Sequence, residues 1–139
     1  MAELLPPPLA LYIHIPWCVK KCPYCDFNSH GRKTELPVAD YLAALTRDLE
    51  QDLPLVWGRT VHSVFFGGGT PSLFSGAAIG DILSMASARL RFAPECEITL
   101  ECNPGTVEHD NFENYLRAGV NRLSFGVQSF DDGCLERLG

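Results

Sequence analysis

Apolar positions along this chain switch repeatedly between alternating and helical spacing, and the switches divide it into strands and helices in turn. Leu11, Ile13 and Ile15 alternate with Tyr12 and His14, which predicts a first strand over Leu9 to Ile15. From Pro37 to Asp52, Val38, Tyr41, Leu42, Leu45 and Leu49 recur on one helical face. Val61 to Phe66 is a short apolar run closed by glycines, and Ser75 to Leu90 places Ile79, Ile82, Leu83, Ala86 and Leu90 on one face of a second helix. Glu95 to Cys102 then reads as a strand, Val107 to Ala118 as a helix ended by Gly119, and Asn121 to Gln128 as a further strand. Asp131 to Leu138 reads as the start of another helix. The fold class is therefore α/β, with about four parallel strands joined by right-handed crossover helices.

Side-chain parity sharpens this picture. Cys96, Ile98, Leu100 and Cys102 lie on one face of their strand, and Glu97, Thr99, Glu101 and Asn103 lie on the other. Leu123, Phe125 and Val127 oppose Arg122, Ser124, Gly126 and Gln128 in the same way. A parallel sheet covered by helices on both sides has two apolar faces, so one polar face implies a curved sheet around a wet or ligand-filled lumen. Tyr12, Glu101 and Gln128 are expected at its C-terminal rim, where barrels of alternating strands and helices carry their active sites. Pairing of Glu101 with Arg122 on the neighbouring strand is the structural alternative to a ligand role for that carboxylate.

Composition narrows the class. The chain has 139 residues, 46% of them hydrophobic and 20% charged, enough for one sizeable core. Its net charge of -6 gives no basic footprint for nucleic acid. No apolar run approaches the ~20 residues that cross a bilayer. The start, Met1-Ala2-Glu3-Leu4-Leu5-Pro6-Pro7-Pro8, has no signal-peptide core and reads as an extended arm, which points to the reducing cytoplasm.

In that compartment Cys18, Cys22 and Cys25, spaced C-x3-C-x2-C right after the first strand, read as metal ligands rather than disulfides. A structural zinc site would need a fourth ligand from His14, His30 or Asp26, at unusual spacing. A 4Fe-4S cluster needs a ligand on each of four irons, so three cysteines leave one iron open to a small molecule. Cys96, Cys102 and Cys134 stand alone and read as small buried hydrophobes. His14 reads as a hydrogen-bonded wall residue, with metal ligation as the alternative, and Trp17 as a shield against water. Gly67-Gly68-Gly69-Thr70-Pro71 at a strand end lets backbone approach a ligand, though a glycine-rich turn alone is a weak signal.

The run Cys18-Val19-Lys20-Lys21-Cys22-Pro23-Tyr24-Cys25 resembles the cluster loop of radical S-adenosylmethionine (SAM) proteins. Tyr12-Ile13-His14-Ile15-Pro16-Trp17, the glycine run and Gly126-Val127-Gln128-Ser129 resemble the oxygen-independent coproporphyrinogen III oxidase-like branch, over about Leu11 to Gly139. The resemblance implies that SAM chelates the open iron and is cleaved to a 5′-deoxyadenosyl radical. It implies that Gly68, Gly69 and Thr70 contact the methionine moiety, that Glu101 and Gln128 add polar contacts, and that Tyr12 and Tyr24 lie beside the cofactor. It implies a partial (β/α)6 TIM-like barrel of which residues 1–139 are the N-terminal part, with an arm at 1–8, a cluster loop at 16–30 and an edge left incomplete at 139.

The oxidases of that branch carry another cysteine two positions after the third cluster cysteine, where this chain has Phe27. Cys-Pro-Tyr-Cys-Asp-Phe-Asn-Ser instead resembles the HemW-type haem chaperones. This resemblance implies a protein that binds a cluster and SAM, takes up haem mainly through regions beyond this chain, and passes it to an acceptor protein. An electron donor such as a flavodoxin-like protein is a further implied partner. The alternative is oxidative decarboxylation of coproporphyrinogen III, and whether the protein is an enzyme stays open on the residues alone.

Overall fold

The structure, a computed structural model, describes residues 5–32, 35–104 and 112–138. The first residues of the expected arm, the expected beginning of the third helix from Val107, and His109 lie outside that set.

The strands β1 (Leu9–Ile15), β4 (Thr60–Gly68), β5 (Arg91–Cys102) and β6 (Arg122–Phe125) form one sheet in that order, every pair parallel. Helices α1 (Val38–Val56), α2 (Gly76–Ser87) and α3 (Phe112–Ala118) make the three crossovers, and α4 (Asp132–Leu138) follows β6. The short strands β2 (Trp17–Cys18) and β3 (His30–Gly31) pair in parallel apart from the sheet.

The apolar parity set of β1 and β5 builds the core, whereas Phe125 and Val127, expected on the apolar face of the last strand, are exposed. Ile13, Ile15, Val64, Phe66 and Leu100 are buried against Ile79, Ile82 and Leu83 of α2, each contributing about 2 kcal/mol of transfer free energy. Val38, Tyr41, Leu42, Leu45 and Leu49 of α1 pack on this core as their spacing predicts. Ser75 caps α2 by accepting from the Ala78 N–H at 3.2 Å, and Gly119, at φ +110°, ends α3 where an L side chain would be strained.

Several boundaries differ from the sequence reading: α2 ends at Ser87 rather than Leu90, β4 runs on to Gly68 rather than Phe66, and three others have a local cause. Helix α1 runs past Asp52 through Pro54 to Val56, because Leu53 and Val56 extend its half-buried apolar stripe and offset the one helix bond that Pro54 cannot donate. Strand β5 begins at Arg91 rather than Glu95. Its ladder with β4 jumps from Val61–Phe92 to Ser63–Glu97, and Pro94 sits in that irregularity, where no ladder N–H is required. Strand β6 ends at Phe125, short of Gln128, and Gln128 takes φ 64°, a conformation uncommon for a residue with a side chain.

Candidate functional site

The cysteine loop is tied off at its base. Beyond the β2–β3 pairing, His30 N–H donates to Pro16 O at 2.7 Å and Arg32 N–H to Cys18 O at 2.8 Å, so both ends of the loop leave from one point. Within it, Lys21 Nζ donates to Phe27 O at 3.0 Å and Ser29 O at 3.3 Å, and the Cys25 N–H donates to Cys22 O at 3.1 Å. Cys18 is buried, whereas Cys22 and Cys25 are half-buried, with Cys25 Sγ 3.9 Å from Ser29 Oγ. Among the described residues no three His, Cys, Asp or Glu side chains are already gathered around a common point. The thiols share one pinned loop without converging.

The glycine run locks this loop to the sheet. Gly69 N–H donates to Ile15 O at 2.8 Å and Thr70 N–H to Trp17 O at 2.7 Å, extending the β1–β4 pairing into the loop. A Cβ on Gly69 would lie 2.5 Å from Trp17 O and 3.0 Å from Cys18 Sγ, so only glycine lets the turn pass beneath the first cysteine. Trp17 packs against Phe74 and Tyr41 beside the loop base.

The polar faces of β1 and β5 carry the groups that surround Glu101. Glu101 accepts a hydrogen bond from the Gly68 N–H, and burial raises its carboxyl above the ordinary range while that bond opposes the rise. The alternative pairing of Glu101 with Arg122 does not form. Register sets Arg122 opposite Thr99 and Ser124 opposite Glu101, so Arg122 Nη1 reaches Glu97 Oε1 at 3.5 Å and Thr99 Oγ1 at 3.3 Å instead. His14 is the hydrogen-bonded wall residue, with Nδ1 3.1 Å from Tyr12 Oη and Nε2 2.7 Å from Asn28 O. Tyr12 stacks on Phe65 and covers Gly67, and burial followed by the nearby Glu101 charge raises its phenol.

A cavity of about 450 Å³ opens between the loop and the C-terminal rim of the sheet, lined among others by Cys22, Tyr24, Thr70, Asn103, Gln128 and Ser129. It brings together residues from all three sequence motifs. Tyr24 shares a hydrogen bond with the Cys22 thiol, which is the main reason its phenol is raised. Asn103 was assigned no role by motif, though parity put it on the polar face; its Nδ2 donates to Thr70 Oγ1 at 3.1 Å and fixes that hydroxyl at the cavity wall. Tyr12, Gly68 and Glu101 form a neighbouring group that does not line this cavity, so of the three residues expected together at the rim only Gln128 lies in it. A soft, three-thiolate donor set on a loop beside an open polar cavity fits an iron–sulfur cluster that shares its last iron with a small molecule.

The chain resembles known proteins over nearly its whole length. The sequence profile of the Radical SAM superfamily matches residues 12–139. The chain is 59% identical to the heme chaperone HemW of Escherichia coli over 133 residues, covering 96% of this chain and 35% of that protein. It is 42% identical to the bovine mitochondrial radical S-adenosyl methionine domain-containing protein 1, covering 94% of this chain and 29% of the relative. The solved structure of Escherichia coli coproporphyrinogen III oxidase (HemN), a radical SAM enzyme, superposes with a TM-score of 0.82 at 34% identity, covering 94% of this chain and 30% of that one. The chain thus spans about a third of the length of the curated relatives it matches, and its sheet corresponds to the first part of the HemN barrel.

Proposed function

We propose, from the premise that this chain belongs to the Radical SAM superfamily, that it forms the N-terminal part of the core domain of a cytoplasmic haem chaperone. Cys18, Cys22 and Cys25 hold a 4Fe-4S cluster, and SAM occupies the adjoining cavity against Tyr24, Thr70 and Gln128. Held there by the three cysteines, a reduced cluster would supply the electron for cleavage of the SAM sulfonium. The protein's own residues do the rest: Gly69 and the His14–Asn28 bond position the loop, and Asn103 orients the Thr70 hydroxyl. Haem is bound mainly by regions beyond this chain and delivered to an acceptor protein, with a flavodoxin-like protein as a suitable electron donor.

The cavity that joins Cys22 and Tyr24 to Thr70 and Gln128 carries the cofactor part of this reading. The chaperone part is supported by the 59% identity to HemW and by Phe27, a 63% exposed ring at the position of the oxidases' additional cysteine. Among the described residues no helix is long and apolar enough to cross a membrane.

The second reading, oxidative decarboxylation of coproporphyrinogen III, is favoured by the likeness to HemN. The full-length protein, reconstituted anaerobically and given haem, SAM and coproporphyrinogen III in parallel, separates the two. Stoichiometric haem retention and transfer to an apoprotein without porphyrinogen turnover is the expected result. Protoporphyrinogen IX formed in step with methionine and 5′-deoxyadenosine would establish the oxidase instead.

A further inference from the structure

At the end of the sheet opposite the cysteine loop, the last turn of α1 and the N-terminal ends of β4 and β5 enclose a second cavity of about 300 Å³, lined by Leu53, Val56, Trp57, Arg59, Arg89 and Arg91 among others. In a chain with 11 cationic side chains and a net charge of -6, three arginines converge on this one cleft. Only one is neutralised: Arg89 meets Glu50 Oε1 at 2.6 Å. Arg59 donates to the Pro7 carbonyl at 2.5 Å, and Arg91 donates through Nε and Nη2 to Thr60 Oγ1 at 2.9 and 2.7 Å. Both acceptors are neutral, and neither guanidinium meets a carboxylate among the described residues. Leu53, Val56 and Leu90 supply an apolar lining, and Trp57 stands at the opening with 82% of its surface exposed.

We propose that this cleft binds a carboxylate carried on an apolar body and, resting on the chaperone reading above, that the ligand is the propionate edge of haem. Guanidinium is the cation best matched to a carboxylate, because its planar fork can donate two parallel bonds and it gives up hydration readily. Register holds the two uncompensated arginines together, since Arg91 pairs with Thr60, the residue after Arg59. A cleft of this volume lies at the lower end of the ~300–1,000 Å³ usual for ligand sites. It accepts the edge of a porphyrin and leaves the ring outside it, against the exposed indole of Trp57. The site lies at the opposite end of the strands from the cluster loop, so haem held there leaves the SAM cavity free.

The test uses the full-length, cluster-reconstituted protein, titrated with haem and with mesohaem dimethyl ester, which lacks free carboxylates. The R59Q/R91Q variant is expected to bind haem on the order of tenfold more weakly than wild type, and to bind the diester as wild type does. Its cluster absorbance and SAM binding are expected to be unchanged. W57A, altered only at an exposed side chain, is expected to weaken both porphyrins and serves if R59Q/R91Q fails to fold. Unchanged haem affinity in R59Q/R91Q, or in W57A where the double variant is unfolded, overturns the site while leaving the chaperone reading intact. A wild-type protein that retains no haem overturns the chaperone reading itself and this ligand with it.

Discussion

His14 Nε2 lies 2.7 Å from the carbonyl oxygen of Asn28, joining β1 to the last turn of the cysteine loop. A carbonyl can only accept, so Nε2 carries the proton and Nδ1 accepts from the Tyr12 hydroxyl. Tyr41, whose phenol is pushed up to about 12, mainly by burial, holds the same residue from behind by donating to His14 O at 2.6 Å. One lost bond of this kind is worth about 1 kcal/mol, or roughly fivefold in an equilibrium. H14F, which keeps a ring and loses the bond, is expected to release iron to a chelator about fivefold faster than wild type. An unchanged rate would mean that the loop is held without His14.

Gly69 should tolerate no side chain. The atoms that a Cβ would meet at 2.5 and 2.8 Å are backbone atoms of Trp17, which cannot swing aside. G69A is expected to cost about 1–3 kcal/mol and to lower iron incorporation. Gly58, at positive φ but with open space around its Cβ position, gives a control: G58A should lower the thermal midpoint while leaving iron content intact. Equal iron content in G69A and wild type would contradict the close approach of the turn to Cys18.

These two positions show what the sequence carried and what it left out. Alternation in β1 and β5 was enough to assign faces, because a period of two leaves no freedom once one face is apolar. The cluster motif, the glycine run and Gln128 were legible as words, and the cavity collects members of all three. Other features depend on geometry that local pattern does not contain. The β2–β3 pairing is two residues long on each side, too short to leave a periodic signal. Which glutamate meets Arg122 is set by the β5–β6 register, which pairs Arg122 with Thr99 and which neither strand's own pattern contains. Pro54 gives up one helix bond inside α1 without ending it, and Pro94 sits where the β4–β5 ladder is interrupted and needs no N–H. Gln128 reaches the rim through a left-handed backbone turn after β6 has ended, which strand parity could not foresee.

Tyr115 and Ser72 should respond in opposite ways. The buried Tyr115 hydroxyl is shared between Ser72 O at 2.9 Å and Phe74 O at 2.8 Å, pinning α3 to the turn after the glycine run. Ser72 Oγ, equally buried, meets no hydrogen-bond partner among the described residues. Y115F is expected to cost about 1–2 kcal/mol in urea unfolding, whereas S72A is expected to be neutral or slightly stabilising. Destabilisation by S72A comparable to that by Y115F would contradict this account of the turn.

Glu101 sets a pH dependence whose sign follows from burial. Its folded-state carboxyl titrates above the ordinary value of 4.5, so the folded protein holds that proton more tightly than the unfolded chain. The resulting stabilisation is fully present below the ordinary value and is lost as pH rises through the higher folded one. E101Q removes the charge and keeps an acceptor for the Gly68 N–H. The thermal midpoint of E101Q minus that of wild type, measured on the full-length protein without SAM, should therefore grow as pH rises through this range and then level off. A difference that shrinks with rising pH would identify Glu101 as a charge-paired carboxylate instead.

The claim on which the rest depends is that Cys18, Cys22 and Cys25 alone hold a cluster with an open iron facing the Thr70–Gln128 cavity. Electron paramagnetic resonance of the reduced, reconstituted full-length protein, with and without SAM, tests it most directly. The account predicts a 4Fe-4S signal that changes when SAM is added, that is lost in C18A, C22A and C25A alike, and whose response to SAM weakens in Q128A. A signal that survives any of the three cysteine substitutions, or one that SAM leaves unmoved, would contradict it.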